Sequence, residues 1–152
     1  MYQHILVPVD STSTGQTILK EAARLSKQCP HSIVRLVHVI NMAEATMEAL
    51  VYGSIQSEMK RADQVRAIGK KVIDDAFAAA KEAGLEPETR LVEVWDKAAS
   101  EAILEEVKKW GADIIVMGTH GYRGVQHLLM GSVAEGVVRH TTIPVLLVRS
   151  HH

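Results

Sequence analysis

The feature that most restricts this chain is a set of short, almost uninterrupted apolar runs. They are His4-Ile5-Leu6-Val7-Pro8-Val9, Ile33-Val34-Arg35-Leu36-Val37-His38-Val39, Asp113-Ile114-Ile115-Val116-Met117 and Pro144-Val145-Leu146-Leu147-Val148. Runs this short and this rich in β-branched residues read as strands buried on both faces, as in a parallel sheet. A further segment, Glu88 to Trp95, alternates imperfectly between apolar and polar residues and suits a sheet edge.

Helix-length segments separate these runs. Asp10-Ser11-Thr12-Ser13 favours a turn and a helix N-cap. A helix is expected from about Ser13 to Gln28, with Ile18, Ala22, Leu25 and Cys29 along one face and Pro30 closing it. Ala43 to Ala83 contains no proline and reads as one or two helices, broken near Tyr52-Gly53-Ser54 and stopped by Gly84. Met42, Met47 and Met59 within it are expected to fill core gaps. Asp96 can cap a helix to about Trp110, with Ala99, Ile103, Val107 and Trp110 facing inward. A last helix runs from about Ser132 to His140. Gly136 lies inside it at a cost of about 1 kcal/mol relative to Ala, and a close approach of helix and sheet would account for it. Strands joined by helical connectors require a mostly parallel sheet with helices on both faces, an α/β fold.

A chain of 152 residues suits one domain, and no internal repeat or linker divides residues 1–150. His151-His152 is set apart as a tail, either native or the remnant of a purification tag. Lys plus Arg number 17 and Asp plus Glu 18, so the net charge of −1 argues against a nucleic-acid or anionic-membrane surface as the main purpose. The single cysteine, Cys29, excludes an internal disulfide framework and fits a reducing compartment. No run approaches a membrane span, and Met1 to Ile5 does not resemble a secretory signal, so the expected location is the cytoplasm.

Chemistry concentrates after the fourth strand. Residues 117–133 carry glycines at 118, 121, 124 and 131, and Gly131-Ser132 opens the last helix. Glycines let backbone approach a ligand closely, and successive N–H groups can form a nest for an anion. The helix start at Ser132 and Val133 adds free N–H groups and partial positive charge. The common nucleotide loops do not fit. No lysine follows Lys109, so the P-loop is excluded. No two glycines lie two residues apart, which excludes the dinucleotide fingerprint, and Gly-x-Ser-x-Gly is absent too. The segment is either a different phosphate site or a turn.

Gly118-x2-Gly121-x9-Gly131-Ser132 resembles the ATP-binding motif of the universal stress protein family. The flanks extend the resemblance: Pro8-Val9-Asp10-Ser11, His38-Val39, Asp113 to Gly118, Gly131 to Glu135, Arg139-His140 and Ile143 to Val148. It covers Met1 to about Arg149 and points to the branch that binds ATP. It implies a single three-layer domain, the adenine nucleotide alpha hydrolase-like fold, with a five-stranded parallel sheet in the order 3-2-1-4-5. In that order strands 1 and 4 are neighbours, and the crevice at their tips is the topological switch point where such sheets bind ligands.

By the same resemblance Pro8, Val9 and Asp10 line the adenosine side, with Asp10 near ribose or a metal. Val39 presents backbone groups to the adenine edge. Met117 and Gly118 contact ribose and α-phosphate. Thr119, His120, Gly121, Arg123 and Gly124 follow the phosphates. Gly131, Ser132, Val133 and Ala134 form the helix start that binds β- and γ-phosphate. The implied ligand is ATP or AMP, with Mg²⁺ arriving on the nucleotide and Asp10 as its carboxylate.

Structural readings stand beside these. Asp10 can cap the first helix, and His38 can be a strand-end histidine with a satisfied hydrogen bond. His120 can touch phosphate or decorate a loop, while His127 and His140 read as structural or solvated. No His pair at helical i, i+4 spacing and no Cys cluster suggests a caged zinc. No general base is evident, so catalytic residues are not assigned, and turnover is at most slow ATP hydrolysis. The apolar run Val145 to Val148 would be a sheet edge in the implied order. Such edges are usually covered, and a two-fold homodimer through this strand is expected. The leading expectation is a nucleotide-dependent stress-response switch acting on a client protein. Two alternatives remain: a slow ATPase or phosphotransferase, and a dimeric interaction protein with no nucleotide dependence.

Overall fold

A computed structural model describes residues 1–11, 15–51, 58–119 and 130–149, with the side chains of Glu58 and Met59 outside the description. In chain order the elements are β1 (His4–Pro8), α1 (Gly15–Gln28), β2 (Ile33–Asn41), α2 (Met42–Val51), α3 (Glu58–Glu82), β3 (Glu88–Val94), α4 (Ala99–Trp110), β4 (Ile114–Gly118), α5 (Ser132–His140) and β5 (Val145–Val148). The strands form one five-stranded sheet in the order β3-β2-β1-β4-β5, every pair parallel. The central runs fold as expected: Ile5, Leu6, Val7, Leu36, Val37, Ile115 and Val116 are all fully buried. The imperfectly alternating β3 lies at an edge.

Alternation along each strand sends side chains to two separate cores. Ile5, Val7, Val9, Val34, Leu36, Ile114 and Val116 pack with Ile18, Leu19 and Ala22 of α1 and with Ile73 and Ala80 of α3. Leu6, Val37, Ile115 and Met117 pack with Ile103 and Val107 of α4 and with Ala134 and Val137 of α5. The sheet is thus covered on both faces, the condition under which all-parallel sheets occur. No described helix is long and apolar enough to cross a membrane.

Three expectations need correction. Asp96 does not cap α4, whose N-cap residue is Ala98. Met42 is fully buried, but Met47 is 62% exposed. Five residues separate them, which is about 140° around a helix, so they cannot share a buried face. Met59 and the expected break at Tyr52-Gly53-Ser54 lie outside the described residues. Gly136 does approach a neighbour closely, but that neighbour is a helix rather than the sheet. A Cβ there would lie 2.5 Å from Ser100 Oγ and 2.7 Å from Ser100 Cβ, at the start of α4. Its helix-propensity cost is the condition for packing α5 against α4.

At the end of the sheet away from the switch point, a charged cluster runs from the sheet surface inward to the buried Glu106. Arg35 of β2 donates from Nη1 to Glu106 Oε1 at 2.9 Å, and from Nε and Nη2 to Glu88 Oε2 at 3.0 and 2.8 Å. Its guanidinium lies 4.5 Å from the centre of the Trp110 ring, whose other neighbour is the His4 ring at 4.9 Å. Arg90 Nε approaches Glu106 Oε2 at 3.7 Å. Glu106 is only 5% exposed, and its carboxylate faces the guanidinium groups of Arg35 and Arg90.

Candidate functional site

Three strand tips meet at one end of the sheet, and the backbone explains why they separate there. The β1–β4 register runs only Ile5↔Ile114 and Leu6↔Ile115. Continuing it needs an N–H at residue 8 to reach back to β4, and residue 8 is proline, which has none. The β1–β4 ladder therefore ends at Leu6.

On the other side of β1 the ladder runs further, to Pro8↔Val37, and ends with Val9 N–H donating to Val37 O at 2.8 Å. N–H and C=O groups alternate sides along a strand. Val37 faces β1, so Val39 faces the same way, into the space beyond the β1 tip. The next rung would join Val39 N–H to Val9 O. Instead the Val9 carbonyl accepts a hydrogen bond from the His38 ring, Nδ1 to O 2.8 Å. A carbonyl cannot donate, so Nδ1 carries the proton in this contact. Burial pushes the His38 pKa below its ordinary 6.5, against smaller upward effects of that hydrogen bond and of the nearby Asp10 carboxylate. The ring is neutral near pH 7.

The far wall is the start of α5. Thr119 is buried and anchored through its N–H to Val148 O at 3.2 Å. Its carbonyl accepts from Gly131 N–H at 2.5 Å, so the chain leaves β4 and re-enters α5 at one point. Gly131 is the N-cap residue, with φ −71° and ψ 163°, and as a glycine it offers no side chain to cap the first turn. The first intrahelical bond is Glu135 N–H to Gly131 O. The N–H groups of Ser132, Val133 and Ala134 thus have no acceptor inside the helix. Ala134 is buried against the Met117 side of the core, which fixes this helix start next to the β4 tip.

Of the residues assigned by sequence, Pro8, Val9 and Asp10 lie on the β1 tip and Val39 on β2. Met117, Gly118 and Thr119 lie on β4 and just beyond it, and Gly131, Ser132, Val133 and Ala134 at the start of α5. Met117 is buried and turned toward α4 and α5. His120, Gly121, Arg123, Gly124 and His127 lie outside the described residues. Among the described residues no group of three or more His, Cys, Asp or Glu side chains could hold a metal ion. Asp10 alone fits a divalent cation only if phosphates supply most of the ligands. His38, read from sequence as a satisfied strand-end histidine, does make such a bond, but its partner is the residue that begins the site. No sequence signal identifies that partner, because Val9 and His38 meet only after β1 and β2 pair.

The architecture agrees with known proteins. The model of the universal stress protein family matches residues 1–149. Universal stress protein YxiE of Bacillus subtilis is 28% identical over 151 residues, spanning 98% of this chain and 100% of that protein. The solved structure of MJ0577, a protein of Methanocaldococcus jannaschii, matches with a TM-score of 0.80 at 26% identity, covering 100% of this chain and 99% of that one. Two further structures share the fold. One is a universal stress protein of Archaeoglobus fulgidus in complex with dAMP (TM-score 0.68, 22% identity, 96% of this chain and 97% of that one). The other is a universal stress protein in complex with cAMP (TM-score 0.66, 21% identity, 99% of this chain and 98% of that one). With the 3-2-1-4-5 sheet and a family match over nearly its whole length, the chain belongs to the universal stress protein family.

Proposed function

We propose that this protein binds an adenine nucleotide, ATP or AMP, in the β1–β4 crevice and acts as a nucleotide-dependent switch in a stress response. The observation that carries the reading is the pairing of two backbone features at one sheet end. Val39 offers an N–H and a C=O side by side, and α5 offers three N–H groups that have no acceptor inside the helix. Adenine presents an acceptor, N1, beside a donor, the N6 amino group, and matches Val39 with one hydrogen bond each way. A phosphate chain running from the β4 tip meets Ser132, Val133 and Ala134 at the positive end of α5, where anions are favoured. Pro8, Val9 and Asp10 then face the adenosine, and Met117 and Gly118 the ribose and α-phosphate. Thr119, His120, Gly121, Arg123, Gly124 and Gly131 follow the remaining phosphates. The dAMP and cAMP complexes of its fold relatives support an adenine mononucleotide as the ligand class.

Asp10 is the one carboxylate assigned here, and Mg²⁺ carried in on the phosphates would find it. No general base paired to a water-positioning group is assigned among the site residues. Binding and switching, not rapid turnover, is therefore the activity proposed, in the cytoplasm. Calorimetric titration with ATP, ADP and AMP tests it. Saturable heat with at least one of them supports the reading, and flat traces at millimolar ligand defeat it.

The β5 edge completes the proposal. Val145 to Val148 has no polar residue, lies at the end of the sheet, and leaves Leu146 exposed. A second copy pairing antiparallel along β5 would cover it. Sedimentation at micromolar concentration should then report a dimer, and a monomer there would remove this part of the proposal.

A further inference from the structure

We propose that His38 is a positioning residue for the base subsite: its Nδ1–H takes the Val9 carbonyl and so keeps β1 from closing one more rung over the Val39 backbone. This rests on the reading of Val39 as the group that meets the adenine edge. The geometry is specific. Val9 N–H is already spent on Val37 O, and Val9 O points to the same strand. The Val39 N–H is the donor a regular parallel ladder would supply to that carbonyl. A buried carbonyl takes a donor wherever one is within reach, and here the imidazole supplies it from the side at 2.8 Å.

The ring is held in place by α3. A Cβ on Gly69 would lie 2.3 Å from Ile40 Cδ1 and 3.7 Å from His38 Cδ2. The α3 backbone therefore runs directly over this stretch of β2, and a glycine is what permits it. The imidazole sits between α3 and the β1 tip, with Asp10 close enough to act on it electrostatically. The consequence for the ligand is indirect. His38 needs no contact with nucleotide. It fixes the Val9–Asp10 peptide and leaves the Val39 N–H available.

Two substitutions separate this role from simple packing. His38→Leu removes the donor but keeps an apolar side chain under α3. His38→Asn keeps an N–H donor on the atom bonded to Cγ, the position of Nδ1. Amide hydrogen exchange at Val39 in the nucleotide-free protein is the direct readout. With His38→Leu the rung closes, and Val39 exchange should slow by about tenfold or more, while neighbouring β2 amides keep their rates. His38→Met repeats the test should the leucine variant not fold. His38→Asn should exchange at Val39 as the wild type does. In calorimetry His38→Leu should weaken ATP by about tenfold, the loss of one hydrogen bond's worth of binding, and His38→Asn should restore it. Unchanged Val39 exchange in a folded His38→Leu or His38→Met variant would overturn the assignment. Because exchange is measured without ligand, it stands apart from the nucleotide reading. A wild type that binds no ATP would sink that reading while a slowed Val39 amide still upheld the role of His38 in the ladder.

Discussion

Ser132→Glu is expected to weaken ATP binding by about 100-fold while leaving the fold at least as stable. Ser132 is the first residue of α5 and exposed, next to an N-cap glycine that offers no side-chain acceptor. A carboxylate at this place meets the positive end of the helix dipole and adds about 0.3–1 kcal/mol of stability. The same carboxylate stands where the terminal phosphates are proposed to lie. Two like charges about 4 Å apart repel by about 4 kcal/mol at the effective dielectric of a protein surface. Screening reduces this to the roughly 3 kcal/mol that corresponds to a 100-fold loss. AMP, with its single phosphate on the Gly118 side, should lose far less. Calorimetry with ATP and AMP, together with a thermal melt, checks all three statements. An ATP affinity unchanged within about threefold would move the phosphates away from α5. The opposite signs of the two effects make the variant informative, since a damaged fold would lower both.

The second large effect is on stability. Arg35→Ala should cost about 3–5 kcal/mol, the range for stripping a buried charge of its partner. Glu106 would lose its 2.9 Å partner and, among the described residues, keep Arg90 Nε at 3.7 Å. The arginine stem packed on Trp110 would be lost as well. For a domain of this size each kcal/mol is about 2–4 °C in melting temperature, so the melt should fall by about 10 °C. The paired change Arg35→Met with Glu106→Leu should recover most of the loss, because two apolar side chains of similar volume leave no charge in the interior. Denaturant titration of the two variants beside the wild type decides it. A loss under about 0.5 kcal/mol for Arg35→Ala would show that Glu106 finds water or another cation. Nucleotide affinity should hold in any variant that folds, since the cluster lies at the far end of the sheet.

How much of this was legible in the sequence depends on whether a feature is local. The strands were, because a run such as Ile114 to Met117 can only be buried, and short buried runs between helices make parallel strands. Their ends were less so. β1 stops at Pro8 and β2 continues to Asn41, differences decided by which neighbour each strand finds. Whether the long middle segment is one helix or two is open in the sequence, because Ala43 to Ala83 contains no proline and a glycine, Gly53, marks the expected break. Met47 is apolar yet exposed because it lies about 140° around α2 from the buried Met42, which apolar content alone does not show. Arg35 offered a signal that went unused: a charge in the middle of an apolar strand needs a buried partner, and Glu106 is that partner.

The site divides in the same way. Gly131-Ser132 at the head of α5 is local and was readable as an anion cradle. The proximity of β1 and β4 came from the family resemblance, since no residue pattern states which strands are neighbours. Pro8 lay in between. Its missing N–H was visible in the sequence, but its effect appears only once β4 is known to lie beside it. His38 was furthest from view, because its role depends on a rung that does not form.

The central claim is that the Val39 backbone reads the base of a nucleotide lodged between the tips of β1 and β4. The most direct test follows the Val39 amide resonance by NMR during titration with ATP and, separately, with ITP. Hypoxanthine carries a donor at N1 and an acceptor at position 6, the reverse of adenine, so it opposes the Val39 pair. The account predicts that ATP shifts the Val39 amide to saturation and that ITP at equal concentration leaves it in place, with a discrimination of about 100-fold. A Val39 amide that stays still under saturating ATP, or moves equally with ITP, would contradict it.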